Sequence, residues 1–307
     1  MAFTDDSRLD TSGVERTSGG GGGRGLAVGG GIGGVVLMLV VGALFGQDGI
    51  NVLNQVTGGS DYSFENVQEA DGGQEQLQAD CKTGADANSN ADCNMVGTKN
   101  SLDEFWSAYL PEQRNIAYQP PILRLFSQST DTACGHATSA VGPFYCPADN
   151  KAYVDTTFFN DLQTQLGAEG GQSAEQYVLA HEFGHHIQEQ LGDLKYSQKD
   201  PQGKDSGAVR VELQADCYAG LWAKHASENT DTIVQVKPFT QDEVDRIVNA
   251  TQVIGDDHIQ MTSQGRTDSS TYTHGTSDQR TAWFMAGYQS GDINKCNTFE
   301  SRNLDQP

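Results

Sequence analysis

Residues 177–188 read Tyr177-Val178-Leu179-Ala180-His181-Glu182-Phe183-Gly184-His185-His186-Ile187-Gln188. They contain an H-E-x-x-H pattern at His181, Glu182 and His185. On a helix, positions i and i+4 share a face. His181 and His185 therefore present two imidazoles to one point, as a zinc ion with nitrogen ligands at about 2.0–2.1 Å requires. Glu182 stands about 100° round the helix from His181. That reaches a water at the metal without displacing it, which suits a general base. A surface helix with two solvated histidines would carry the same letters. Tyr177, Val178, Leu179 and Ile187 argue instead for a buried helix, where His, Glu and His without a metal or partners would be costly.

A catalytic zinc site has three protein ligands and one open position. An extended H-E-x-x-H-x-x-G-x-x-H pattern is excluded, because Gln188 and Leu191 stand at the Gly and last His positions. The other arrangement takes a Glu from a second helix downstream. Val211-Glu212-Leu213-Gln214-Ala215-Asp216-Cys217-Tyr218-Ala219-Gly220-Leu221-Trp222 supplies it. Glu212 and Asp216 are i, i+4 on a largely apolar segment, so two carboxylates face one way and need compensation. Glu212 is the expected third ligand. Asp216 is expected to accept a hydrogen bond from a ligand imidazole and fix its tautomer. Pairing with Arg210 or Lys224 is the plainer alternative for these carboxylates. Glu189 is a weaker rival ligand, and His186 points away to pack or hydrogen-bond.

The 307 residues carry 41 acidic and 19 basic side chains, a net charge of −22. A phosphate backbone would be repelled, so no nucleic acid is expected as a partner. Residues 1–24 are polar and Gly-rich, which reads as a disordered cytoplasmic tail. Residues 25–46 carry no charge, which suits a transmembrane signal anchor. Arg16 and Arg24 precede it and Asp48 follows, which orients the N-terminus to the cytoplasm and the rest outward. A cleavable signal peptide is the rival, but Ala43-Leu44-Phe45-Gly46 is a poor cleavage site. The expectation is a single-pass protein of the bacterial cell membrane with an extracytoplasmic domain. Residues 47–100 read as an acidic flexible spacer, and residues 101–307 as the metallopeptidase domain.

The six cysteines are Cys81, Cys93, Cys134, Cys146, Cys217 and Cys296, with no C-x-x-C pair. An exported chain would oxidise them to three disulfides. Sequence proximity suggests Cys81–Cys93 and Cys134–Cys146, which leaves Cys217–Cys296. Ser101-Leu102-Asp103-Glu104 looks like a capped helix start. Ile122 to Ser127 reads as a strand, and 134–155 as a hairpin or meander. Lys151 to Thr156 is the candidate edge strand beside the cleft, with an ordinary internal strand as the alternative. Residues 156–166 read as a short helix, and the polar link 192–206 as a possible rim of the cleft. Strands followed by an H-E-x-x-H helix are the order of zincin metallopeptidases.

Several segments together resemble the bacterial family of putative neutral zinc metallopeptidases, the YpfJ-like group. They are Cys134-Gly135, Gly142-Pro143-Phe144-Tyr145-Cys146-Pro147, Ala180 to Gln188, Glu212 to Gly220, Ile254-Gly255-Asp256-Asp257 and Thr273-His274-Gly275-Thr276-Ser277-Asp278-Gln279-Arg280. The resemblance spans roughly residues 100–300. It implies a zincin fold with Glu as third ligand, in agreement with the spacing. It implies no substrate. The fold class expected is α+β: a small mixed sheet on the H-E-x-x-H helix and a mainly helical C-terminal part, behind one N-terminal transmembrane helix.

Past the second motif, Gln241 to Ile254 has a helical pattern with Thr240 and Glu243 as a capping box. Residues 277–290 read as another helix. Tyr272 and His274 before it are candidate donors to an oxyanion, with a capping loop as the bland alternative. Asp256 and Asp257 read as caps rather than calcium ligands. The function expected is a peptidase with one zinc per chain. Zinc-activated water, with Glu182 as general base, would cleave a peptide or protein substrate. A non-catalytic zinc-bearing envelope scaffold and a zinc amidase acting on cell-wall peptides are the alternatives.

Overall fold

A computed structural model describes residues 2–17, 72–228 and 232–307. Its sheet has four strands: β1 (Val14–Arg16), β2 (Ile122–Phe126), β5 (Phe144–Cys146) and β6 (Lys151–Asp155), after a separate hairpin of β3 (Ser129–Thr132) and β4 (Gly135–Thr138). The order is β1-β2-β6-β5. β1, β2 and β6 are parallel, and β5 runs antiparallel to β6. Ala152, Tyr153 and Val154 are all buried. A strand apolar on both faces belongs inside a sheet. The expected edge strand at Lys151 to Thr156 is thus corrected: β6 is internal, and the edges are β1 and β5, the latter flanked by Pro143 and Pro147.

The helices are α1 (Gly72–Asp80), α2 (Gly84–Ala87), α3 (Ala91–Arg114), α4 (Phe158–Leu166), α5 (Gln172–Leu191), α6 (Lys195–Lys199), α7 (Gly207–Glu228), α8 (Gln241–Val253), α9 (Asp256–Gln264) and α10 (Ser277–Ser290). α8 and α10 begin at capping boxes, Thr240 with Glu243 and Thr276 with Gln279. Each box satisfies two backbone donors that a helix start would leave free. α7 is the hub. It packs on α10, α5, α6 and α3, with Trp222 and Trp283 fully buried. α10 comes close because of facing glycines. A Cβ on Gly220 would lie 2.0 Å from the Phe284 carbonyl oxygen, and one on Gly287 2.0 Å from that of Cys217.

The helix expected to start at Ser101 begins ten residues earlier, at Ala91, where Asn90 caps it. The face it buries is partly polar, so the apolar pattern is broken. Asn94, Thr98 and Lys99 are buried but satisfied: Asn94 donates to Glu175 (2.9 Å), Thr98 to the Asn94 carbonyl (2.7 Å), and Lys99 pairs with Asp103. Residues 72–100 are therefore part of the domain and not a spacer, with Leu77, Cys81, Ala87 and Met95 in the core. The three disulfides are Cys81–Cys93, Cys134–Cys146 and Cys217–Cys296, as expected. The last ties α7 to the turn at Ile293–Cys296.

Residues 2–17 are ordered too, against that part of the expected disordered tail of residues 1–24. Phe3 is buried against Gly97, and its N–H donates to Asn88 (2.8 Å). Glu15 on β1 pairs with Arg124 (2.6 Å) and Lys151 (2.8 Å), and Arg16 with Asp92 (3.0 Å). Order here comes from partners more than 60 residues away, which local composition does not report.

The expected anchor at residues 25–46 lies outside the described residues. Among the described residues, no helix is long and apolar enough to cross a membrane. Residues 2–17 share one sheet and one core with the described residues from 72 onward. A single pass at 25–46, with the N-terminus inside and the domain outside, would put β1 and β2 on opposite faces of a bilayer. The expected single-pass membrane localisation is corrected on these grounds, and the fold class with it. The protein is mixed α/β, with α1, α2 and α3 before β2, the β3–β4 hairpin and β5 between the parallel strands β2 and β6, and without the expected transmembrane element among the described residues.

Candidate metal centre

His181 and His185 share one face of α5, and Glu212 lies on the facing side of α7. Gly184, between the histidines, lets the helices meet. A Cβ there would stand 2.9 Å from the Ala215 Cα and 3.0 Å from its carbonyl oxygen. One ligand atom from each of His181, His185 and Glu212 lies within 4.8 Å of the others. His181 Nε2 is 3.1 Å from Glu212 Oε2, and His185 Nε2 is 3.5 Å from Glu212 Oε1. Ligands at about 2.0–2.2 Å from a tetrahedral ion stand about 3.3–3.6 Å apart. Two nitrogens and one carboxylate with that spacing fit zinc. Gly184→Ala is expected to push α5 and α7 apart, costing about 1–3 kcal/mol of stability and weakening zinc binding. Urea denaturation and a competitive zinc titration would check both effects.

Each imidazole is oriented from behind. His181 Nδ1 lies 2.8 Å from Asp216 Oδ1, and His185 Nδ1 lies 2.8 Å from Gln188 Oε1. An oxygen acceptor at Nδ1 holds the hydrogen there and leaves Nε2 free to face the common point. Gln188 is fixed in turn, donating to the Val211 carbonyl (2.6 Å) and to Gln214 (2.9 Å). Asp216 is completely buried and four times satisfied. Tyr177 donates to it (2.6 Å), and Arg280 donates from Nε (2.9 Å) and Nη2 (3.0 Å). Burial opposes the Asp216 charge, but Arg280 and His181 outweigh it and hold the carboxyl below its usual range. Burial likewise opposes a charged His181, yet Asp216 and Glu212 push the imidazole up to about 10. Glu212 is lowered, burial being overcome by His185 and His181. The site thus holds net negative potential that a proton fills and a cation would fill better.

Glu182 lines the same cleft without joining the donor set. Burial raises its pKa, against the pull of His185 and His181. His274 also lines the cleft. Its loop is wrapped round the buried Asp256, which accepts from the backbone N–H of Thr273 (2.7 Å), His274 (2.7 Å) and Gly275 (3.0 Å) and faces His274 Nδ1 at 3.2 Å. Tyr272 is buried but is not among the cleft-lining residues, so the structure does not bring it to the site. The 192–206 link does not line the cleft either. Glu189 is exposed and outside the donor set. His186 packs at the back, with Nδ1 3.0 Å from the Tyr145 hydroxyl and Nε2 2.5 Å from the Gln119 carbonyl. Arg210 binds carbonyls of Thr298 and Ser301, and Lys224 pairs with Glu228, so neither neutralises Glu212 or Asp216.

Tyr177, Gln188 and Arg280 are site residues that the sequence reading did not assign. The first two had a signal: Tyr177 is i−4 from His181 and Gln188 is i+3 from His185, on the same face. Arg280 had only a weak one, a charge one turn before the buried Trp283 and Phe284.

A family profile described as "Putative neutral zinc metallopeptidase" matches residues 4–299. Its match begins inside the N-terminal segment that packs on the domain. An uncharacterized protein of Mycobacterium tuberculosis, Rv2575, is 47% identical over 227 residues, 73% of this chain and 76% of its own length. An uncharacterized protein of Mycobacterium bovis, Mb2605, matches to the same extent. The uncharacterized YpfJ of Escherichia coli is 42% identical over 193 residues, 61% of this chain and 64% of its own length. No solved structure matches the chain.

Proposed function

The chain belongs to the family described as "Putative neutral zinc metallopeptidase", and on that premise we propose that it hydrolyses peptide bonds with one zinc held by His181, His185 and Glu212. The observation that carries this reading is the convergence of those three donors within 4.8 Å, beside a Glu182 that lines the cleft yet stays out of the donor set. When bound, zinc supplies a Lewis acid that polarises a carbonyl oxygen and acidifies water.

The protein's own groups do the rest. Glu182 takes a proton from the attacking water as its oxygen bonds to the peptide carbon, and delivers that proton to the amine as the C–N bond breaks. Its raised pKa suits both halves of that exchange. His274, which lines the cleft and is held by Asp256, is the candidate imidazole N–H donor to the oxyanion. Asp216 and Gln188 keep the two ligand imidazoles in one tautomer and one orientation. The edge of β5 offers backbone groups along which an extended peptide can lie.

The test is a diverse peptide pool incubated with the full chain, because residues 2–17 and 72–100 belong to the fold. Cleavage read by mass spectrometry should appear with zinc-loaded protein, vanish on chelation and return with zinc. Protein that retains stoichiometric zinc and cuts no peptide would sink the reading.

A further inference from the structure

The cleft that holds the donor set encloses about 150 Å³. Besides the donors, its lining includes Val141, Phe158, Leu166, Val178, Ile254 and Ile259, brought together from four separate parts of the chain. Val178 fixes where it lies. It precedes His181 by three residues and Glu182 by four, so it shares their face of α5 one turn, about 5.4 Å, toward the N-terminus. The apolar part of the lining therefore adjoins the proposed general base.

The charged groups lining it are already engaged. Arg280 is bound by Asp216, His274 faces Asp256, and Glu212 faces both histidines. Glu182 alone remains, and it is needed for proton transfer. A charged side chain entering here would lose its water and gain no partner. An apolar one would remove water from six apolar walls.

We propose that the apolar side of this cleft is a specificity pocket for one bulky uncharged side chain, Leu, Ile, Met or Phe, adjoining the scissile bond. The substrates would then be peptides with such a residue at the cleavage point. The assignment of a scissile bond rests on the peptidase reading above; the pocket's preference for an apolar group can be measured without turnover.

Zinc-loaded Glu182→Gln protein would be titrated calorimetrically with succinyl hydroxamates that differ in one side chain: isobutyl, benzyl, methyl or carboxymethyl. The isobutyl and benzyl compounds should bind about 10- to 200-fold tighter than the methyl compound, the range a pocket gives for missing methylenes. The carboxymethyl compound should bind no better than the methyl one. Ile259→Trp and Leu166→Trp, which fill the pocket from different sides, should erase that preference while zinc content and circular dichroism stay unchanged. Equal affinity across the four compounds overturns the pocket. Discrimination by the hydroxamates with no peptide cut by zinc-loaded wild type sinks the peptidase reading and leaves the pocket standing. Peptide cleavage without an apolar preference on either side of the bond does the reverse.

Discussion

Glu182→Gln is expected to lower peptide hydrolysis by about 10²- to 10⁴-fold, the usual weight of a positioned general base, and to leave zinc bound. Gln keeps the shape and one oxygen of Glu but cannot take the proton. Zinc should stay because Glu182 is outside the set of converging donors. The same substitution should leave the fold as stable as before or more so. Glu182 is buried, and its raised pKa shows that the fold tolerates its charge at a cost. Such a group is kept for what it does and not for stability. Single-turnover rates, bound zinc and the urea midpoint would be measured together. Loss of zinc in Glu182→Gln would make Glu182 a ligand, and an unchanged rate would remove it from the chemistry.

The donor set was legible because its information is local. His181 and His185 are four apart, and so are Glu212 and Asp216. A helix turns each spacing into a shared face without reference to the rest of the chain. The cap at Thr240 is local in the same way. The disulfides followed from proximity and one elimination. What the sequence hid is non-local. β1 is three residues of a Gly-rich, polar segment, and nothing near it announces that Val14 pairs with Leu123. α3 buries Asn94, Thr98 and Lys99, whose partners lie on α5 or on α3 itself, so the apolar period is absent where the helix is most enclosed. The inner position of β6 was hidden for a related reason. An apolar strand of five residues fits a sheet interior as well as a cleft edge, and only β2, pairing from one side, decides between them.

Removing Arg280 tests the part of the site that no local pattern announces. Arg280→Met is expected to cost about 3–5 kcal/mol, the usual effect of breaking one partner out of a buried ion pair. Asp216 has no exposure, and its two strongest donors are Arg280 Nε and Nη2. Tyr177 and His181 would remain, but Tyr177 brings no charge and His181 gives up its positive charge when it coordinates a metal. The carboxylate would then sit buried beside an incomplete set of partners. Arg280→Lys should recover little of the loss, since one ammonium cannot make both parallel bonds. Asp216→Leu with Arg280→Met should recover more, because both desolvated charges are gone. That double variant separates stability from function. With Asp216 absent, His181 Nδ1 has lost its acceptor, and zinc affinity should fall about 10- to 100-fold even where the fold is restored. Urea midpoints and zinc titrations on the three variants read these two quantities apart. A wild-type midpoint for Arg280→Met would mean that Asp216 does not depend on Arg280. Wild-type zinc affinity in the double variant would mean that the ligand imidazole is held by packing alone.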